Sequence, residues 1–110
     1  ETIAVSEHTE GGCPDIRTRP VVFIARNKKY MIVYHVRFYS PFTDGELMEA
    51  YDLEKDPLEL NNIADSIRQE DISDLLVAME QRQKSIMMTY SKLHPGMDWE
   101  PYKIINGINI

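Results

Sequence analysis

The sequence predicts an α+β domain in which one long C-terminal helix packs on one face of a four-stranded antiparallel sheet. The first half of the chain contains four short segments of alternating or continuous apolar residues, separated by turns rich in Gly, Pro, Asn and Asp. The second half contains one long stretch, 66–93, whose apolar residues recur every three or four positions. Strands that precede a helix, rather than alternating with helices, are typical of the α+β class.

The four strands are predicted over 2–9, 21–25, 30–39 and 46–53. The second segment is apolar at consecutive positions, so both of its faces are expected to be covered. A short turn at Asn27-Lys28 favours an antiparallel hairpin between the second and third strands. In the third strand, His35 falls on the face that carries Met31 and Val33. The order of the strands within the sheet does not follow from the sequence.

The predicted helix, 66–93, has acidic residues near its start and Lys92 and His94 near its end, which suits the helix dipole. Pro95-Gly96 should end it, with His94 as a C-terminal cap. The tail, 95–110, is apolar and is expected to pack on the sheet or on a partner, outside a domain that spans 1–94. The residues of the predicted apolar stripe are Ile72, Leu75, Leu76, Met79, Ile86, Tyr90 and Leu93.

Composition excludes some classes of protein and leaves others open. The 110 residues suit a single domain, the net charge of −6 argues against a nucleic-acid partner, and no apolar run approaches a membrane span. Residues 1–45 hold six basic and five acidic residues, a charge of +1, whereas 46–110 hold six and thirteen, a charge of −7. The basic half either faces an anionic substrate or is a solvated hairpin face. Periplasmic, extracellular and cytoplasmic locations are all compatible with the sequence.

The segment 49–65, EAYDLEKDPLELNNIAD, has the most distinctive local pattern. It begins as the end of a half-buried strand and then turns at Asp56-Pro57. We expect Asp56 to cap a short helical turn with Pro57 at its first position, and Glu59 to reach back to the backbone N–H of the cap. Asn62 suits the irregular backbone that must follow.

This segment resembles the signature near the end of sulfatases, in which a strand similar to ELYDL leads into a DPxExxNLA turn. Ala50 and Ile63 depart from it, since the family has Leu at both places. Two weaker resemblances lie upstream, at 4–8 and at 26–32, so the likeness covers about residues 2–94. The matching residues are Glu49, Tyr51, Asp52, Leu53, Asp56, Pro57, Glu59, Asn62 and Ala64.

The resemblance implies the C-terminal subdomain of a sulfatase. The parent enzyme would hydrolyse sulfate esters with a formylglycine, made from Cys or Ser in C/S-x-P-x-R, and with calcium. Both belong to a larger catalytic domain that these 110 residues do not contain. The only cysteine lies in CPDIR, 13–17, where the proline comes one place too early, so Cys13 is expected to be a loop thiol. The chain should therefore contribute packing and one wall of the substrate pocket, and should be inactive alone.

His8, Arg17 and Arg19 are the candidate substrate-binding residues, and Glu7 is placed to orient His8. No His or Cys pair has metal-ligand spacing, and Asp56 suits a cap better than a calcium site, so no catalytic or metal residue is predicted. Two other functions stay open. One is a free-standing anion-binding module built around Arg17, Arg19 and Arg37. The other is an assembly module that forms a homo-oligomer through the apolar tail and a sheet edge.

Overall fold

The computed structural model describes residues 2–9, 20–37 and 40–107. Four strands, β1 (Ala4–Thr9), β2 (Pro20–Arg26), β3 (Tyr30–Arg37) and β4 (Glu46–Asp52), precede the helices α1 (Ser73–Leu93) and α2 (Glu100–Asn106). Two short 3-10 helices lie at Phe42–Asp44 and Gln69–Ile72. The predicted α+β fold, a four-stranded antiparallel sheet with one long helix, is confirmed. The short helix α2 was not predicted.

The strands form a meander in the order β1-β2-β3-β4, and every neighbouring pair is antiparallel. At the β2–β3 turn, the side-chain oxygen of Asn27 accepts the backbone N–H groups of Lys29 and Tyr30, each at 2.8 Å. This side chain closes the tight turn that the sequence predicted. The β3–β4 pairing is regular except for a shift of register between Val33 and Tyr34.

The two faces of the sheet have different environments. One face holds Phe23 and Ile32, both fully buried, and α1 packs over it. On the other face, Val22 and Ile24 are only half-buried and lie outside the core cluster. The expectation that β2 is covered on both faces is therefore wrong for the described part of the chain. The buried core consists of Val21, Phe23, Ala25, Tyr30, Ile32, Tyr34, Val36, Phe42, Ala50, Ile72, Leu75, Met79, Met87, Trp99 and Tyr102.

The long helix ends at Leu93 as predicted but begins later, with a 3-10 turn at Gln69–Ile72 followed by α1 from Ser73. Residues 66–68 do not join the helix, because Arg68 has extended backbone with φ of −82° and ψ of 139°. Ile67 belongs to a separate turn, in which its N–H bonds to the carbonyl of Ile63 at 2.9 Å. The buried stripe also differs from the predicted one. Leu76 is half-buried and Leu93 is 67% exposed. The buried residues of α1 are Leu75, Met79, Gln83 and Met87.

The segment after α1 folds back on the core through two aromatic side chains. Trp99 and Tyr102 are buried, and the indole N–H of Trp99 donates to the carbonyl of His94 at 3.0 Å. His94 follows the last turn of α1, and its backbone N–H bonds to the carbonyl of Tyr90. Ile104 and Ile105 remain 77% and 42% exposed. The isoleucines at 108 and 110 lie outside the described residues.

Candidate functional site

In the segment 49–65, here called the signature segment, two carboxylates fix the backbone by accepting hydrogen bonds from its N–H groups. Asp52 Oδ1 accepts from the N–H groups of Glu54 and Lys55, both at 3.1 Å. Asp56 accepts from Leu60 at 3.0 Å and from Asn61 at 2.9 Å, one with each carboxylate oxygen. Both acids thereby organise the turn on which they lie. They also line a cleft of about 390 Å³ with Lys55, Asn61 and Ile63.

Glu59 does not complete a capping box, so that expectation is wrong. No helix begins at Pro57, and the residue that bonds to the N–H of Asp56 is Asp52, through its backbone carbonyl at 2.7 Å. Glu59 has φ of 56°, and it is the only non-glycine residue with positive φ among those described. Its carboxylate faces Arg26 instead, at 3.7 Å. The left-handed backbone carries the chain around the turn and sends the Glu59 side chain toward the sheet.

Asn62 attaches the turn to the outer edge of β4. Its Oδ1 accepts the N–H of Ala50 at 3.1 Å, and its Nδ2 donates to the carbonyl of Met48 at 3.2 Å. The same Oδ1 accepts the N–H of Ala64 at 2.9 Å. The side-chain amide therefore takes the place that a fifth strand would occupy along this edge.

Tyr51 and Glu49 alternate with the buried Ala50 and project from the opposite face of the sheet. The Tyr51 hydroxyl donates to Glu49 Oε1 at 2.5 Å. This hydrogen bond to a carboxylate is the main reason that the pKa of Tyr51 is raised. In the signature, Tyr51 is thus a surface residue bound to Glu49 and not part of the core.

We call the sheet face opposite α1 the open face. Its centre is apolar and is formed by Val22, Ile24, Met31 and Val33, all half-buried. The register places Arg26, Met31 and Tyr51 in a cross-strand row at one end of this face. It places His8, Val22, His35 and Glu46 in a second row at the other end. The open face is therefore an apolar centre between two polar ends.

The candidate substrate-binding residues are only partly described. His8 is exposed at the end of β1 on the open face, in the row that also holds His35. Arg17 and Arg19 lie outside the described residues, as does Cys13. The structure therefore places one of the three candidates and leaves their mutual arrangement as a prediction.

Glu7 does not orient His8, because neighbouring strand residues point to opposite faces. Its carboxylate binds Arg82 of α1 instead, with Nη2–Oε1 at 2.6 Å and Nε–Oε2 at 3.1 Å. This paired contact raises the pKa of Arg82. The ion pair ties the middle of α1 to β1, a structural role that the sequence did not indicate.

Gln83 is a buried polar residue that the sequence did not lead us to expect. It is fully buried in α1, its Nε2 donates to the carbonyl of Arg37 at 3.2 Å, and its Oε1 has no hydrogen-bond partner among the described residues. Its spacing of four residues from Met79 and Met87 was the available signal, but a polar residue was not counted in the stripe. It links α1 to the end of β3.

The described residues contain no group of three or more His, Cys, Asp or Glu side chains that could hold a metal ion. Within 2–9, 20–37 and 40–107, no helix is both long enough and apolar enough to cross a membrane. Comparison with protein-family models, with curated proteins and with solved structures found no match for this chain.

Proposed function

We propose that this chain is the non-catalytic C-terminal subdomain of a sulfatase, and that its open face packs against the larger catalytic domain. The sequence resemblance supplies the family. The observation that supports a packing role is the apolar centre of the open face, which no described helix covers. Its parent would hydrolyse sulfate esters, and this subdomain would contribute no reacting group.

The contacts of the signature side chains support a scaffold role. Asp52, Asp56 and Asn62 all bind backbone groups of their own turn or of β4. A carboxylate committed to two backbone N–H groups has a structural role that accounts for its presence without catalysis. The signature would therefore fix the shape of the subdomain, which in turn fixes the surface that meets the catalytic domain.

The composition of the open face suits an interface between domains. Fully burying a side chain such as Val, Ile or Met is worth about 1.5–3 kcal/mol, and these four are already half-buried, so completing their burial would give several kcal/mol. Polar residues at the rim, Tyr51 with Glu49 at one end and His35 near Glu46 at the other, would set the orientation. The end that carries His8 is the part assigned to the substrate pocket, with Arg17 and Arg19 following it in sequence.

The proposal is tested first by the reading frame upstream of the codon for Glu1. We expect it to encode a catalytic domain that contains C-x-P-x-R or S-x-P-x-R. That domain, expressed separately, should form a complex with this chain and hydrolyse a chromogenic aryl sulfate. A frame without such a motif contradicts the proposal.

The docking face is tested by one matched pair of variants. Val33→Asp places a charge at the centre of the open face and should abolish the complex. Val77→Asp makes the same change on the exposed side of α1, where Val77 is 56% exposed, and should leave the complex intact. Far-UV circular dichroism checks that both variants fold. A complex that tolerates Val33→Asp contradicts docking through the open face.

A further inference from the structure

The two edges of the sheet differ in whether another segment of the chain bonds to them. The outer edge of β4 is covered, since Asn62 and Ile63 bond to the backbone of Ala50. In the part of the chain that the structure describes, no segment pairs with the outer edge of β1. An unpaired edge offers a row of backbone N–H and carbonyl groups to another strand.

β1 lacks most of the features by which proteins usually block an open edge, although Glu7 is an inward-pointing charge. Its six residues, AVSEHT, contain no Lys, Arg or Pro, and they pair with β2 in an unbroken register without a bulge. Its one acidic side chain, Glu7, is drawn toward α1 by Arg82 at 2.6 Å. The charge of Glu7 is thus partly neutralised and directed away from the edge.

We propose that β1 pairs antiparallel with β1 of a second copy of this chain, so that two four-stranded sheets join into one of eight strands. This interface goes beyond the proposed function and does not rest on it, because it uses the edge of the sheet and not the open face. The two-fold axis must be perpendicular to the sheet, since opposed residues in an antiparallel pair point to the same face. Both copies of α1 then lie on the same side.

Charge disfavours one register, and a pair of hydroxyl groups favours another. A pair centred on Glu7 would set two carboxylates directly opposite each other, which is unfavourable. A pair centred on Ser6 sets Ser6 opposite Ser6 of the second copy and Ala4 opposite His8. Cross-strand hydroxyl pairs of this kind are favourable. The Ser6-centred register also uses almost the whole length of β1.

The position of α1 leaves room for the two copies of β1 to pair. α1 contacts both β1 and β2, and strands lie about 4.8 Å apart, so the two copies of α1 would be about 10–14 Å apart across the axis. The flank of α1 that carries Arg82 also carries Ala78, Ser85 and Thr89, which are three, four or seven residues away from it. Apart from Arg82, which is bound to Glu7, these side chains are small and leave room for a neighbouring helix.

The first test is the mass of the full chain in solution, measured by light scattering after gel filtration over a range of concentrations. Wild type should be a dimer, and Ser6→Lys, which sets two ammonium groups opposite each other, should be a monomer. Ser66→Lys adds the same charge on an exposed residue away from β1 and should remain a dimer. Ile24→Lys alters the open face and should also remain a dimer. A monomeric wild type, or a dimer lost in Ile24→Lys but kept in Ser6→Lys, overturns the proposal.

The second test fixes the register and does not depend on a destabilising charge. In a Cys13→Ser background, Ser6→Cys should form a disulfide-linked dimer under mild oxidation. Ala4→Cys and His8→Cys should each cross-link poorly alone but should cross-link to one another when the two proteins are mixed. No cross-link at any of the three positions, in a chain that is dimeric by mass, means that another surface forms the dimer and overturns the proposal.

Discussion

The side-chain amide of Asn62 binds the backbone of Ala50, which donates its N–H to Asn62 Oδ1 at 3.1 Å. The neighbouring Ile63 completes the contact, because its N–H donates to the carbonyl of Ala50 at 2.8 Å. Ala50 is fully buried in β4, so both of its outward backbone groups would otherwise be unsatisfied away from bulk water. Asn62 and Ile63, near the end of the signature segment, therefore satisfy the outer edge of β4 and end the sheet there.

Asn62→Ala should lower the free energy of unfolding by roughly 1–3 kcal/mol, because the N–H of Ala50 and that of Ala64 lose their common acceptor. Equilibrium urea denaturation measures the change. Asn61→Ala is the control, since Asp56 binds the backbone of Asn61 and not its side chain. Equal losses in the two variants would show that the Asn62 amide does not hold the edge.

Glu59→Gly should stabilise the fold by about 1 kcal/mol, because glycine adopts the positive φ of 56° without the steric cost paid by other residues. Glu59→Ala keeps a Cβ in the same backbone conformation and should give no such gain. The difference between their urea midpoints isolates the backbone contribution, since both variants lose the 3.7 Å contact with Arg26. If Glu59→Ala is as stable as Glu59→Gly, the backbone at Glu59 is not strained.

The fold class could be predicted because it depends on periodicity, which is a local property of the sequence. The four strands and the end of α1 at Leu93 agree with their apolar patterns to within a few residues. The start of α1 could not be predicted in this way. Arg68 has extended backbone between a turn at 63–67 and the 3-10 turn at Gln69–Ile72, and Ile63 in that turn bonds to Ala50, which is a tertiary contact.

The sequence predicted which residues form the candidate site, but it did not predict their hydrogen-bond and ion-pair partners. The turn at Asp56 was predicted, yet the partners of Asp56 are Leu60 and Asn61, and they depend on the positive φ of Glu59. The residue type gives no indication that the backbone of this glutamate has a positive φ. The partner of Glu7, Arg82, is far away in sequence, so only the docking of α1 could reveal their ion pair.

Leu75→Ala should lower the free energy of unfolding by roughly 2–5 kcal/mol, because Leu75 is fully buried beneath α1 and its loss leaves a cavity. Leu76→Ala should cost less, since Leu76 is half-buried at the margin of the same stripe. Leu93→Ala is the matched control, because that leucine is 67% exposed. Thermal and urea unfolding of the three variants should rank them in this order. A larger loss for Leu76 than for Leu75 would mean that α1 docks through a different face.

The purified chain should not hydrolyse a chromogenic aryl sulfate. The sequence has one cysteine, in CPDIR rather than C-x-P-x-R, and the described residues hold no metal-ligand cluster. The assay should give the rate of the blank with and without added calcium, and Cys13→Ala should behave in the same way. Turnover that is lost in Cys13→Ala would assign the reaction to this chain.

Tyr102→Phe should weaken the loss of stability at alkaline pH. Burial, with a smaller contribution from Glu80, raises the pKa of Tyr102 in the folded state. Below about pH 10 the hydroxyl is protonated in both states, whereas above it the unfolded chain releases a proton that the folded chain retains. The free energy of unfolding should therefore fall as the pH rises past about 10.

Burial raises the pKa of Tyr34 as well, so Tyr102→Phe should reduce this fall without abolishing it. In the part of the chain that the structure describes, the buried Tyr102 hydroxyl has no hydrogen-bond partner, so Tyr102→Phe should also gain about 1 kcal/mol at neutral pH. Tyr34→Phe should instead lose stability there, because the Tyr34 hydroxyl donates to the carbonyl of Phe42 at 2.7 Å. Urea midpoints between about pH 8 and about pH 11 measure both effects. Parallel curves for wild type and Tyr102→Phe would show that Tyr102 does not titrate on unfolding.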